Sequence, residues 1–177
     1  MAFRIETERL FIRPWLAADR PLFTRFVRDP EMMRYISHGK AWDDERIDAF
    51  FRRQEAYLAE HGCCVGAVVL KESQQLIGIA GIQPLDQAGV FEFAWWIWRD
   101  HWGRGLATEV AGALRDHAFG VMGLPRVIAI ADVPNRASSR VMEKIGMKYQ
   151  GVRNAHELAE RHPDVEVVYY TLERPVS

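Results

Sequence analysis

The sequence has only two cysteines among its 177 residues, and they are adjacent, Cys63 and Cys64. That spacing suits neither the usual metal-ligand arrangements nor a disulfide framework, so the pair reads as reduced packing residues. Neither sign of charge is in excess. Lys and Arg number 23 against 24 Asp and Glu, for a net charge of -1, and nothing global points to a polyanion such as nucleic acid. Long apolar runs are also missing. The opening MAFRIETERL carries charges throughout, which fits neither a signal peptide nor a membrane span, so the expectation is a cytoplasmic protein that does not engage a membrane. Low-complexity tracts, internal repeats and long linkers are absent too, and residues 1–177 read as a single domain. What the chain does have is 49% hydrophobic residues, enough for a sizeable core.

Strand and helix signals fill the chain. RLFIRP near the start alternates arginine with apolar residues as a strand does, and Asp19 before Arg20-Pro21 caps a helix of about ten residues. DDERIDAFFRRQEAYLAEHG sets Ile47, Phe50, Phe51, Ala56 and Leu58 near one side of a second helix that stops at Gly62. CVGAVVLKE, QLIGIAGIQPL and VFEFAWWIW are apolar, rich in β-branched or aromatic residues and separated by turn-forming SQ and DQAG, the pattern of a three-stranded antiparallel meander. A helix from Arg104 to Met122, the strand RVIAIAD, a helix from Arg136 to Ile145 ended by Gly146, and a last strand VEVVYYTLE complete an α+β chain.

The third meander strand leads through WWIWRDHWGRGLATE, residues 95–109, into the long helix. Helix N-termini present unpaired N–H groups and the positive end of the macrodipole, which stabilise phosphates. Gly103 and Gly105 let a ligand approach the backbone, Arg104 adds a positive charge, and Thr108 adds a hydroxyl in the first turn. Short glycine loops also occur simply to turn a strand into a helix, and the glycines alone do not decide between the two. GRGLAT lacks the GK[ST] of a P-loop and the third small residue of a dinucleotide fingerprint, and an antiparallel meander is the wrong context for both. Strand alternation puts Glu92, Ala94, Trp96 and Trp98 on one face and Phe91, Phe93, Trp95 and Ile97 on the other. Both faces are mostly apolar, so this is a central strand whose rings pack under helices.

WIWRDHWGRGLATE, followed some thirty residues later by NRASSRVMEKIGM, resembles the acetyl-CoA-binding core of the GNAT superfamily of N-acetyltransferases. More narrowly, it is similar to the branch that includes the ribosomal-protein N-terminal alanine or serine acetyltransferases. ETERLFIRPW, RDPEMMRYI and GIAGIQPL extend the likeness over nearly the whole chain. The family's phosphate loop, [QR]-x-x-G-x-[GA], is matched by Trp102, Gly103, Arg104, Gly105, Leu106 and Ala107 except at Trp102. The resemblance implies a mixed, mostly antiparallel sheet flanked by helices. Its fourth and fifth strands splay so that the pantetheine arm of acyl-CoA inserts between them and pairs with backbone groups near Trp96, Ile97 and Trp98. A backbone N–H there could also bind the oxyanion of acyl transfer.

The second motif begins at Asn135, a helix cap by its position. By resemblance Asn135 also contacts the pantetheine arm or an ordered water, and Ser138 matches the serine proposed to protonate the departing CoA thiolate, since the tyrosine used by other members is replaced here by Val141 and Met142. An acceptor amine is protonated near pH 7 and attacks only as the neutral form, so a base is expected. Glu157, six residues past Gly151, matches the branch's proposed glutamate base, with a solvated loop glutamate as the alternative reading. Glu92 is the second candidate, a carboxylate within an apolar strand whose pKa would rise if it were buried without a partner. His101 and His156 titrate in the right range, and a water relay is a further route.

The resemblance implies acetyl-CoA as acyl donor, an amine acceptor, direct attack in a ternary complex, and neither a metal nor a covalent enzyme intermediate. The acceptor class is left open among a protein N-terminus, an amino acid and another small amine. RHPD, residues 161–164, stands where many branch members have a glycine-containing turn. A non-catalytic acyl-CoA-binding or sensing domain is the competing reading, and the chain could be a monomer or a homodimer.

Overall fold

The computed structural model describes residues 3–34, 36 and 39–175. Eight strands form one sheet: β1 (Ile5–Glu6), β2 (Leu10–Arg13), β3 (Val65–Leu70), β4 (Gln75–Pro84), β5 (Phe91–Ile97), β6 (Arg126–Asp132), β7 (Lys148–Asn154) and β8 (Glu166–Glu173). The helices are α1 (Arg20–Arg28), α2 (Pro30–Met33), α3 (Asp44–His61), α4 (Leu106–Gly120) and α5 (Arg136–Lys144). The spatial order is β1-β2-β3-β4-β5-β6-β8-β7, and every neighbouring pair is antiparallel except β5 and β6. The expected meander is therefore β3-β4-β5, and the expected α+β, mostly antiparallel sheet is present. The parting strands are the fifth and sixth here because the two-residue β1 adds one to the count.

The faces of β5 follow the alternation read from sequence. Phe93, Trp95 and Ile97 join Leu106, Val110 and Leu114 of α4 in one buried cluster, with Met142 of α5. Ala94, Trp96 and Trp98 pack against a second cluster built by Phe23 and Phe26 of α1 and Ile47 and Phe50 of α3. The strand is central and covered on both faces, as apolar patterning on both sides requires.

Three differences from the sequence reading have local causes. The α4 helix begins at Leu106 rather than Arg104, because Gly103 (φ 72°) and Gly105 (φ 75°) hold left-handed backbone that cannot continue into a right-handed helix. Pro30–Met33 forms a separate short helix capped by the Asp29 carboxylate, which accepts from the N–H groups of Glu31 and Met32. Strand β7, KYQGVRN, was not expected at all. It is an edge strand, mostly exposed, with a register shift between Tyr149 and Val152 around Gly151, so neither face carries an apolar stripe. Cys63 and Cys64 are fully buried, and burial pushes their thiols up to about 11 and, with Cys63 adding to the effect, about 12. They are packing residues rather than nucleophiles. Among the described residues no helix is long and apolar enough to cross a membrane.

Candidate active site

Parallel strands β5 and β6 share one paired position, Glu92 with Ile128, and then diverge. The side of β5 that faces the opening follows from its other ladder. The Trp98 N–H donates to the Ile77 carbonyl of the β4 side at 2.8 Å, and the same register pairs Trp96 with Ile79. Antiparallel alternation therefore directs the backbone groups of Trp96 and Trp98 at β4 and those of Trp95 and Ile97 at the opening. The backbone pairing expected near Trp96, Ile97 and Trp98 is thus available from Trp95 and Ile97. One of those four groups is already engaged: the Trp102 indole N–H donates to the Ile97 carbonyl at 2.6 Å. Trp102, the departure from the family's loop pattern, folds its ring nitrogen back onto the strand and braces the loop, while about half of its surface, 52%, stays exposed.

The opening holds a cavity of about 490 Å³ lined by Trp95, Trp96, Ile97, His101, Trp102, Gly103, Gly105, Leu106, Ala107, Thr108, Asn135 and Ser138, together with Arg136, Arg140 and Val141 of α5. Of the expected cofactor residues only Arg104, within the loop, and Trp98 fall outside this lining. The Trp98 ring leans on Phe26, 5.5 Å away between centroids. Arg104 contacts His101 Nδ1 at 3.1 Å. Burial and then the Arg104 charge hold the His101 imidazole below its usual value despite the opposing pull of Asp100. The loop is tied to the β1–β2 turn: Glu109, in the first turn of α4, accepts from the Thr7 hydroxyl (2.5 Å), the Arg9 N–H (2.9 Å) and the Arg9 guanidinium (2.6 Å), and Arg9 also donates to the Arg104 carbonyl at 3.0 Å. Among the described residues, chain neighbours aside, nothing lies within 4 Å of where a Cβ on Gly103 would sit, and only the Arg9 guanidinium, at 3.8 Å, lies near one on Gly105. Both glycines belong to the cavity lining, and a Cβ on either would meet little or nothing.

A second cavity of about 280 Å³ adjoins the first and shares Trp95, Trp96, Asn135 and Ser138 with it. Asn135 caps α5, its side-chain oxygen accepting from the Ser138 N–H at 3.1 Å, which leaves its NH2 group as the remaining donor. Ser138, half-buried, sits where the two cavities meet. The smaller cavity runs from there to a polar wall of Gln83, Glu92, Arg161 and His162, with Arg46, Arg53 and Asp132 also in its lining.

Glu92 is buried, but it has partners. One carboxylate oxygen lies 3.0 Å from Gln83 Nε2, 3.0 Å from Arg161 Nη2 and 3.2 Å from His162 Nε2. Burial pushes its pKa up, and the charge and hydrogen bond of His162, the charge of Arg161 and the Gln83 hydrogen bond outweigh that push, so the carboxyl stays below its ordinary range. The rise expected for a lone buried carboxylate does not occur. Because a carboxylate only accepts, His162 donates to Glu92 through Nε2–H, which leaves Nδ1 as the nitrogen not engaged by Glu92. Glu157 is exposed and lines neither cavity, so its spacing from Gly151 brings no carboxylate to this wall. His156 is exposed too, its Nδ1 3.1 Å from the His162 carbonyl oxygen. The segment that carries Glu157 reaches the cavity through Arg161, His162 and Pro163, three of the four residues of RHPD. The departure from the family's turn was the available signal for them.

Residues 9–148 match the model of the acetyltransferase (GNAT) domain, and the chain belongs to that family. Among curated relatives it is 33% identical over 130 residues to YdaF of Bacillus subtilis, provisionally named a ribosomal N-acetyltransferase, covering 72% of this chain and 67% of that one. It superposes on an acetyltransferase from Agrobacterium tumefaciens with a TM-score of 0.83 and 29% identity, covering 98% of this chain and 96% of that one. The fold is shared, at 16% identity and a TM-score of 0.74, by the spermidine N-acetyltransferase of Vibrio cholerae in complex with CoA and spermine, covering 94% and 96%. The protein is an N-acetyltransferase by family, and it resembles the ribosomal-protein branch.

Proposed function

We propose that the protein transfers an acetyl group from acetyl-CoA to a primary amine by direct attack in a ternary complex. The observation that carries this reading is the junction: where β5 and β6 part, a long cavity backed by a glycine loop and a helix N-terminus meets a smaller polar one at Trp95, Trp96, Asn135 and Ser138. The CoA in the Vibrio cholerae relative supports assigning the longer cavity to the acyl donor. The free N–H groups at the start of α4, the left-handed glycines and Arg104 receive the pyrophosphate, and Trp95 and Ile97 supply backbone partners for the pantetheine amides. An N–H of this pair also stabilises the negative charge that builds on the thioester oxygen.

The acceptor amine occupies the smaller cavity. His162 takes its proton, directly or through water, with Nε2 held by Glu92 so that Nδ1 is the basic nitrogen, and Glu92 is a positioning residue. As the C–N bond forms and the C–S bond breaks, the Ser138 hydroxyl gives a proton to the departing sulfur and regains one from water. Asn135 and Ser138 orient the reacting groups from the α5 side. Incubating the protein with acetyl-CoA and a panel of primary amines while following thiol release tests this. Acetylation of at least one amine, reduced by His162→Gln, supports the reading, whereas CoA binding with no turnover across the panel supports a non-catalytic acyl-CoA sensor instead.

A further inference from the structure

The smaller cavity is cationic beyond what its acids neutralise. Arg46, Arg53 and Arg161 line it against Glu92 and Asp132, an excess of one positive charge before His162 is counted. Arg161 is committed to Glu92 at 3.0 Å, with side-chain exposures of 12% and 4%. Arg46 stacks on Trp42, 4.5 Å from guanidinium carbon to ring centroid. Arg53 lies toward the ring of Phe50, at 6.0 Å.

Two donors on this wall lack an acceptor. The Nε–H groups of Arg53 and Arg161 are both buried and hydrogen-bonded to nothing among the described residues. Buried donors are ordinarily satisfied, so these two arginines of the cavity lining are not fully partnered by the described residues. Burial, and after it the like charge of Arg161, hold Arg53 below its ordinary value; Tyr57 opposes this and Arg46 adds to it.

We propose that the acceptor is an amino-acid-sized amine bearing a carboxylate, which Arg53 and Arg161 bind while its nitrogen faces the junction at Ser138. This rests on the acetyltransferase reading and narrows its substrate class. A carboxylate would pair with the guanidinium groups of Arg53 and Arg161 that line the cavity, and guanidinium–carboxylate pairs are among the stronger charge-assisted hydrogen bonds. About 280 Å³ lies near the lower end of small-ligand pockets, which suits a ligand of this size. A polyamine would bring further positive charge to a wall already in cationic excess, where like charges disfavour binding. The same excess favours the neutral form of the acceptor's amine, the form that attacks.

The test is a matched panel: L-amino acids, the same residues as α-carboxamides, and spermidine, each titrated calorimetrically into the CoA-loaded protein and assayed for acetylation. The proposal expects at least one amino acid to bind at least tenfold tighter than its carboxamide, to outcompete spermidine, and to lose that preference in Arg53→Gln. Arg53→Lys, which keeps the charge and drops the Nε donor, should lose part of it. A CoA-induced thermal shift equal to wild type confirms that each variant is folded. Equal binding of acid and amide, no binding of either, or a preference for spermidine overturns the proposal while leaving acetyl transfer intact. Absence of CoA binding in the wild type would instead remove the acetyltransferase reading beneath it.

Discussion

Glu92→Gln removes the negative charge from a wall that keeps Arg161, 12% exposed at its side chain, at 3.0 Å. Deleting one partner of a buried pair typically costs about 3–5 kcal/mol, because the other charge stays desolvated and unpaired. Against a domain stability of about 5–15 kcal/mol this is a large fraction, and at roughly 2–4 °C per kcal/mol for this chain length it amounts to a fall in melting temperature of about 6–20 °C. The folded-state pKa of Glu92 is depressed, so its contribution is present above the unfolded value near 4.3 and is lost as pH falls through the lower folded value. Urea unfolding followed by tryptophan fluorescence should therefore separate wild type from variant at pH 7 and bring them together at low pH. Adding Arg161→Met to Glu92→Gln should recover part of the loss by removing the orphaned guanidinium. A variant within 1 kcal/mol of wild type from pH 4 to pH 8, or a double variant no better than the single one, would refute a dry, paired carboxylate here.

Three further outcomes follow from the site. His162→Gln should lower kcat by about 10²–10⁴, the usual contribution of a positioned base; a loss under tenfold in a folded variant would take the proton transfer away from His162. Glu157→Gln, at an exposed position outside both cavities, should leave kcat within about twofold, and a large loss in a folded variant would return the base role to that segment's glutamate. Arg9→Ala should raise KM for acetyl-CoA more than it lowers kcat, because Arg9 holds the Arg104 carbonyl and Glu109 rather than the reacting atoms; an unchanged KM would mean that the phosphate loop stands without that brace.

The meander, α4 and α5 were legible because continuous apolar strands and helix-period apolar faces announce themselves in sequence. Strand β7 was not, since an exposed, polar edge strand with a register shift has neither period. At the site, the glycine loop and Asn135 with Ser138 carried their positions in their motifs. Strand alternation fixes that Trp95 and Ile97 direct their backbone groups opposite to Trp96 and Trp98, but which set faces the opening followed only from the pairing with β4. What spacing could not supply was the inward turn of Arg161 and His162. Their approach to Glu92 depends on how the segment between β7 and β8 folds back across a strand some 70 positions earlier, and no local pattern encodes such a contact.

The central claim, that the loop at Gly103 and Gly105 and the opening beside β5 receive acetyl-CoA, is tested most directly by thermal shift of wild type and Gly105→Ala with acetyl-CoA. At about 100 times its dissociation constant the ligand should add roughly 2.7 kcal/mol to the wild type. In the variant a Cβ at φ 75° costs about 1–2 kcal/mol at a residue of the cavity lining, so a lower melting temperature without ligand and a ligand shift that is mostly lost are expected. No shift in the wild type, or an undiminished shift in the variant, would contradict it.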